Sequence, residues 1–270
     1  MLAACGSSKG SSTGVGAGAG VVLPADQYQV VQFFKSGTPP AGMPFRVPFG
    51  LGSTDGVLQA GGPQQMDVRV LDGNGREAQA SATVTRHARE LERPYWPVTI
   101  DLAQGTYQAV FTLAGKAVGS PAFFDVGTVP TLPKPGDKLP VHTTPTPENT
   151  EGVTPICTRS PACPLHDVSL DTVLGTSPVA LLVATPAYCQ TAICGPVLDV
   201  LLNNRLKGIT YIHAEVWMDD TFKSSAPLLD AYGIDYEPVL FVARADGTVV
   251  DRLDVIFDAD DLAASLAKAL

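Results

Sequence analysis

The chain has no run of about 18 consecutive apolar residues, so it encodes no membrane-spanning helix. Basic residues are few: 18 Lys and Arg stand against 27 Asp and Glu, giving a formal charge of −9, and the cations do not cluster. A protein that neutralises phosphates needs such a cluster, so nucleic acid is excluded as a partner. Cysteine is sparse, and after Cys5 none occurs until Cys157. Between residues 21 and 128 helical periodicity is missing, and no group of catalytic residue types gathers there. The one histidine of that stretch, His87, lies in "TRHARELER" and is expected to be solvated.

What is present points to strands. "QMDVRVLD" (Gln65–Asp72) alternates, with Met66, Val68 and Val70 on one side, and runs into the turn signal "DGNG". "SATVTRHA", "YWPVTIDL", "GTYQAVFTLAG" and "SPAFFDVGT" follow at strand spacing. Short strands joined by Gly-rich turns predict an antiparallel sandwich over residues 21–128. A proline-dense stretch over 129–156, including "VPTLPKPGDKLPVHTTPTPENTEG", reads as an extended linker.

From Cys157 onward the pattern changes. "PVALLVA" (Pro178–Ala184) is an apolar run of strand length, as for a strand buried on both faces. "GPVLDVLLNNRL" has helical period, and "GITYIHAEVW" is a second strand. "SSAPLLDAYGI" is a short helix, "PVLFVARADGTVVDRLDVI" a hairpin, and "DADDLAASLAKAL" a closing helix with Asp258 as its N-cap. Cys189 and Cys194 fall between the first strand and the first helix. Sites in open sheets form beyond the carboxyl ends of strands, which suits that position.

The start of the chain, Leu2-Ala3-Ala4-Cys5, resembles a bacterial lipobox, and "GSSKGSSTGVGAGAG" behind it has the composition of a flexible tether over residues 1–20. The resemblance implies lipid on Cys5 and an extracytoplasmic membrane anchor. Setting Cys5 aside leaves four cysteines in two close pairs, Cys157 with Cys163 and Cys189 with Cys194, as an oxidising compartment would give. "DLAQGTYQAVFTL" resembles the late strands of immunoglobulin-like modules.

Residues 167–270 resemble the thioredoxin superfamily. "PVALLVATPAYC" is similar to its strand ending in an aromatic residue and Cys, with Tyr188 in the aromatic place. "LLDAYGIDYEPVLFVARADGTVVDRLDV" is similar to its helix, proline, strand and hairpin run. The implied architecture is two-domain: an all-β, immunoglobulin-like sandwich, then an α/β thioredoxin-like fold over 157–270. The resemblance also implies that Pro238 is cis and faces the reactive cysteine, shaping a substrate groove. Val183 stands where that family often holds a buried Asp, and Glu237 precedes Pro238. The spacing "TPAYCQTAICG" resembles the peroxiredoxin Q group, in which the first Cys attacks peroxide and the second resolves it.

A redox thiol has to ionise near neutral pH, and the N–H groups of a helix N-terminus favour a negative sulfur. Cys189 is therefore the candidate nucleophile and Cys194 the resolving thiol. On a continuous helix the two would be separated by about 7.5 Å of rise, too far round the axis for a disulfide. Gly195-Pro196 predicts that the helix starts there and leaves 189–194 as a loop able to close. Cys157 and Cys163 read as a structural disulfide. A metal site using Cys157, Cys163 and His166 or His213 is the alternative, since copper-carrying members of the superfamily pair two cysteines with a distant His. The primary reading assigns no metal and no cofactor. The function implied is thiol–disulfide exchange with a protein partner, next to two other readings, thiol peroxidase and redox-inactive binding module.

Overall fold

In the computed structural model, which describes residues 22–35, 37–128, 132–189 and 191–270, the first half is built from eight strands. In chain order they are β1 (Tyr28–Gln32), β2 (Phe45–Ser53), β3 (Gln65–Asp72), β4 (Glu77–Thr85), β5 (Trp96–Ile100), β6 (Gly105–Leu113), β7 (Lys116–Ala117) and β8 (Ala122–Val126). They form two antiparallel sheets, β1-β2-β5 and β4-β3-β6-β7, with β8 also on β6. Alternation sets the inner faces: Met66, Val68 and Val70 of β3 and Tyr107, Ala109 and Phe111 of β6 are buried. Phe49 from one sheet meets Phe111 and Phe124 of the other at ring separations of 5.1 and 6.3 Å, which closes the sandwich. Each such buried ring contributes about 1.5–3 kcal/mol.

The second half contains α1 (Leu170–Val173), β9 (Val179–Val183), α2 (Cys194–Asn203), β10 (Thr210–Ala214), α3 (Pro227–Tyr232), β11 (Val239–Ala243), β12 (Val249–Asp254) and α4 (Ala259–Leu266). Its sheet has the order β10-β9-β11-β12; β10 and β9 are parallel, and the other pairs are antiparallel. Every residue of β9 and β11 is buried, which explains the unbroken apolar runs. Ala180, Leu182, Leu240 and Val242 face α2, α4 and the sandwich, whereas Leu181, Val183, Val239 and Phe241 face α1 and α3.

The structure corrects the expected fold class. The protein is dominated by three sheets, with 34% strand and 14% helix, and is not the combination of an immunoglobulin-like sandwich with an α/β thioredoxin-like half. The physical reason lies in the helices. The segments α1 and α3 hold four and six residues, and Gly233 in the left-handed region ends α3 where a longer helix would have run on. Proline-rich and irregular backbone takes up much of the remaining length.

The proline-rich segment, from Leu132 onward, lies along the second sheet. Leu132, Leu139 and Val153 are buried there. Prolines donate no N–H, but their carbonyls accept: Pro133 from Arg252 Nη1 at 2.9 Å and Pro140 from the Tyr232 hydroxyl at 2.7 Å. Lys138 Nζ bonds Asp246 and Thr248 across the turn before β12.

The two halves share one apolar cluster, which runs from Phe49 and Phe111 through Leu198 and Leu201 to Leu262. A polar knot edges it. Asp258, 2% exposed, caps α4 by accepting from Asp260 N and Asp261 N, and its other oxygen accepts from Ala88 N and Arg89 N of the sandwich half. The Tyr95 hydroxyl donates to Asp261 and accepts from Asp258 N at 2.9 Å. Arg46 bonds the Ile256 carbonyl, the Tyr95 hydroxyl and Asp261. His87 Nδ1 lies 3.2 Å from Asp261 and 3.8 Å from Asp258, so it is half-buried and ion-paired rather than solvated as its charged neighbours in sequence predicted. The two carboxylates raise its pKa to about 9. Burial pushes Asp258 up, but His87 and the backbone N–H groups outweigh it and hold the carboxyl at about 2.

Candidate functional site

β9 carries the chain to Thr185, and the turn that follows presents Cys189. Tyr188 N donates to Thr185 O, and Ala192 N to Cys189 O at 3.0 Å. Ala192 has φ +54°, a left-handed conformation that costs a non-glycine residue about 1 kcal/mol. That bend returns the chain so that α2 begins at Cys194, two residues before the start predicted at Pro196, and Cys189 and residues 191–193 lie outside it.

The turn brings Cys189 and Cys194 together. Both are free thiols, their sulfurs 2.6 Å apart, inside the van der Waals contact of unbonded sulfurs and within reach of a disulfide. Cys189 is half-buried and Cys194 fully buried. Three donors converge on the Cys189 sulfur: the Cys194 thiol, the Cys194 backbone N–H at 3.3 Å and the Thr191 hydroxyl at 3.3 Å. The Cys194 thiol does most to favour the anion, and the Cys189 pKa falls to about 5 despite partial burial. Burial first, then the neighbouring Cys189 charge, pushes Cys194 far up. One sulfur is thus a standing thiolate and the other a held proton.

Glu237 completes this corner. A carboxylate oxygen lies within 4.8 Å of both sulfurs, and burial followed by the Cys189 charge raises its pKa. The Glu237–Pro238 peptide is cis, as the resemblance implied; Pro238 itself is buried, and its carbonyl accepts from Val255 N. The rim beside Cys189 is aromatic: Tyr188 packs edge-on to Phe222 at 4.7 Å, and Phe222 to Trp217 at 5.8 Å. Phe222 is 45% exposed with φ +56°, an unusual conformation for a bulky residue. Behind the turn, a cleft of about 330 Å³ separates Thr191–Ile193 from Val31, Phe33, Leu58 and Arg93 of the sandwich.

The low Cys189 pKa sets an expected result. Its reaction rate with iodoacetamide should follow a titration with its midpoint near pH 5, against about 8.5 for an unperturbed cysteine. A midpoint at 8 or above, measured by mass spectrometry of the 189 peptide, would show that the three donors do not hold a thiolate.

The second cysteine pair departs from expectation. Cys157 and Cys163 are free thiols with sulfurs 3.7 Å apart, not the structural disulfide predicted from their spacing. Both sulfurs face imidazoles instead. His213 Nδ1 lies 3.8 Å from Cys157 and 3.4 Å from Cys163, and His166 Nε2 lies 3.3 Å from Cys163. His213 comes from β10, where it pairs in register with Leu182 and points to the face opposite Ile212 and Ala214. In sequence only the alternative of a metal site, offered by the resemblance, joined His213 to these cysteines, which lie fifty and fifty-six positions away. Cys5 lies outside the described residues. Among those residues no helix is long and apolar enough to cross a membrane.

No family model and no curated protein matches this chain. Among solved structures, the filamin domain of Lin-41 is similar at 17% identity, covering 39% of this chain and 97% of that one with a TM-score of 0.26.

Proposed function

We propose that the protein is a thiol–disulfide oxidoreductase acting on polypeptide partners, the chemistry that the resemblance to the thioredoxin superfamily implies. One observation carries the reading. A half-exposed sulfur accepts three hydrogen bonds that stabilise its anion, and a buried thiol sits 2.6 Å away.

The Cys189 thiolate attacks one sulfur of a partner disulfide. A Cys189–partner disulfide forms, and the other partner sulfur leaves as a thiolate that takes a proton from water. Glu237 accepts the Cys194 proton, and the new thiolate attacks the Cys189 sulfur. The products are a Cys189–Cys194 disulfide and a partner reduced by two electrons; a second partner dithiol restores the pair by the reverse steps. The aromatic rim of Tyr188, Phe222 and Trp217 suits an apolar peptide segment next to the scissile disulfide. We read the sandwich as an immunoglobulin-like module that supplies the far wall of the cleft behind the turn.

The assay is reduction of insulin by the reduced protein, with Cys189→Ser as control. Turnover that depends on Cys189 supports the reading. Peroxide consumption without insulin reduction moves the assignment to thiol peroxidase, and inactivity in both assays moves it to a binding module. The Leu2-Ala3-Ala4-Cys5 pattern supports action from a lipid anchor on the extracytoplasmic face. Radiolabelled fatty acid incorporated by the full chain and lost in Cys5→Ser is the expected result; equal labelling of both would remove that placement.

A further inference from the structure

We propose that Cys157, Cys163, His166 and His213 form a structural site for one tetrahedral divalent cation of the zinc class. It takes up the metal site that the sequence reading kept as its alternative to a disulfide, with both histidines rather than one, and it stands apart from the Cys189–Cys194 chemistry.

The donor set and its spacing carry the inference. All four side chains are buried, and their ligand atoms lie within 4.8 Å of one another. Zinc–sulfur and zinc–nitrogen bonds of about 2.3 and 2.0–2.1 Å, set at tetrahedral angles, place two sulfurs about 3.8 Å apart and sulfur and nitrogen about 3.6 Å apart. The sulfurs here are 3.7 Å apart, and the sulfur–nitrogen separations are 3.3, 3.4 and 3.8 Å. Four of the six edges thus match those of the polyhedron a metal would impose, and the other two lie within 4.8 Å.

The hydrogen inventory agrees at His213, while the buried His166 Nδ1 has no hydrogen-bond partner among the described residues. His213 Nε2 lies 3.0 Å from the Ala184 carbonyl, which can only accept, so Nε2 carries the proton and Nδ1 presents a lone pair to the sulfurs. A carbonyl fixing the tautomer of an imidazole in this way is the usual support behind a metal-bound histidine. Charge agrees as well. Two thiolates, two neutral imidazoles and a dication sum to zero, which is what a buried site tolerates. Binding releases the two thiol protons to solvent, and no electron moves. Two thiolates and two imidazoles in tetrahedral array select zinc over harder cations.

The backbone is arranged to hold such a clip. Pro155, Pro161 and Pro164 keep residues 155–164 out of helix. The Thr158 N–H and hydroxyl both donate to Glu215 Oε1, at 2.6 and 2.8 Å, and Leu165 O accepts from His213 N. The Thr158 hydroxyl also accepts from Ala187 N, two residues before Cys189. A metal would therefore fasten the 157–166 loop to β10 and brace the turn that carries the reactive sulfur.

The test uses the full chain, reduced, stripped with EDTA and titrated with Co²⁺ and then Zn²⁺. One cobalt per chain is expected, with thiolate-to-cobalt charge transfer and the intense visible bands of tetrahedral coordination, displaced by one equivalent of zinc. A Cys189→Ser/Cys194→Ser double variant should keep that spectrum, whereas Cys163→Ser and His213→Ala should weaken binding at least 100-fold. Absence of bound cobalt, a pale octahedral spectrum, or charge transfer lost in the double variant but kept in Cys163→Ser would overturn the site. The wild-type spectrum decides even where a ligand variant fails to fold. Because the double variant lacks the redox pair, failure of the exchange assay leaves this test unaffected.

Discussion

Cys189→Ser should reduce insulin turnover by on the order of 10³-fold or more while leaving the unfolding midpoint close to that of the parent. A hydroxyl in the same place has the same three donors around it, but it does not ionise near neutral pH and does not attack a disulfide. The side chain is half-buried at the end of a turn, so its exchange for a smaller isostere removes little packing. Cys194→Ser should fail differently. The nucleophile still attacks, but no resolving thiol follows, so a partner stays covalently attached and is seen on non-reducing gels. The serine hydroxyl can still donate to the Cys189 anion; Cys194→Ala removes that strongest donor, so in the alanine variant the alkylation midpoint should rise from about 5 towards 8.5. Glu237→Gln separates the two halves of the cycle: formation of the mixed disulfide keeps its rate, and its release slows by about 10²-fold, the usual contribution of a proton acceptor. Retained turnover in Cys189→Ser would place the chemistry elsewhere.

The largest effect on stability is expected at Asp258→Ala, a loss of about 3–5 kcal/mol, of the size found when one member of a buried charged network is removed. The α4 cap accounts for about 1 kcal/mol of it. The Ala88 and Arg89 N–H groups, which Asp258 joins at 3.0 Å each, lose their acceptor, at about 1–3 kcal/mol for each that stays buried. Asp258→Asn keeps an acceptor oxygen and should lose less. The pH dependence follows from the same residues. The His87 pKa is raised from about 6.5 unfolded to about 9 folded, so its stabilising charge is fully present below pH 6.5 and is lost as pH rises through 9. The Asp258 pKa is lowered to about 2, so its contribution holds above pH 4 and is lost as pH falls through 2. Urea midpoints should therefore fall between pH 6.5 and 9 in the parent, with a shallower fall in Asp258→Ala. A midpoint unchanged by Asp258→Ala, or flat across that range in the parent, would show that the knot is not what holds the halves together.

The sequence made visible what is encoded in short segments. β3 was legible because Met66, Val68 and Val70 alternate, and β9 because five buried residues leave no polar position. The Cys189–Cys194 pair was legible because its turn, thiols and helix start lie within eight residues. Fold class was not, because the length given to helix depends on where packing lets each segment end, and α1 and α3 end early. His87 looked solvated among its charged neighbours; its partners come from the far end of the chain. Cys157 and Cys163 read first as a bridge, with a metal site on His166 or His213 as the alternative, because their spacing is local whereas His213 arrives from another strand. Convergence of this kind has no linear period to read.

The apolar cluster common to both halves has a dynamic consequence. Swinging the sandwich away from α2 and α4 would split the buried cluster that both halves share and break the Asp258, Tyr95 and Arg46 bonds that cross between them, so the seam is no hinge. A partner that needs more room at the reactive sulfur must obtain it from the Thr191–Ile193 bend or from reorientation of Phe222. Breadth of substrate choice is then set by a handful of rim positions, and the scaffold beneath them stays still.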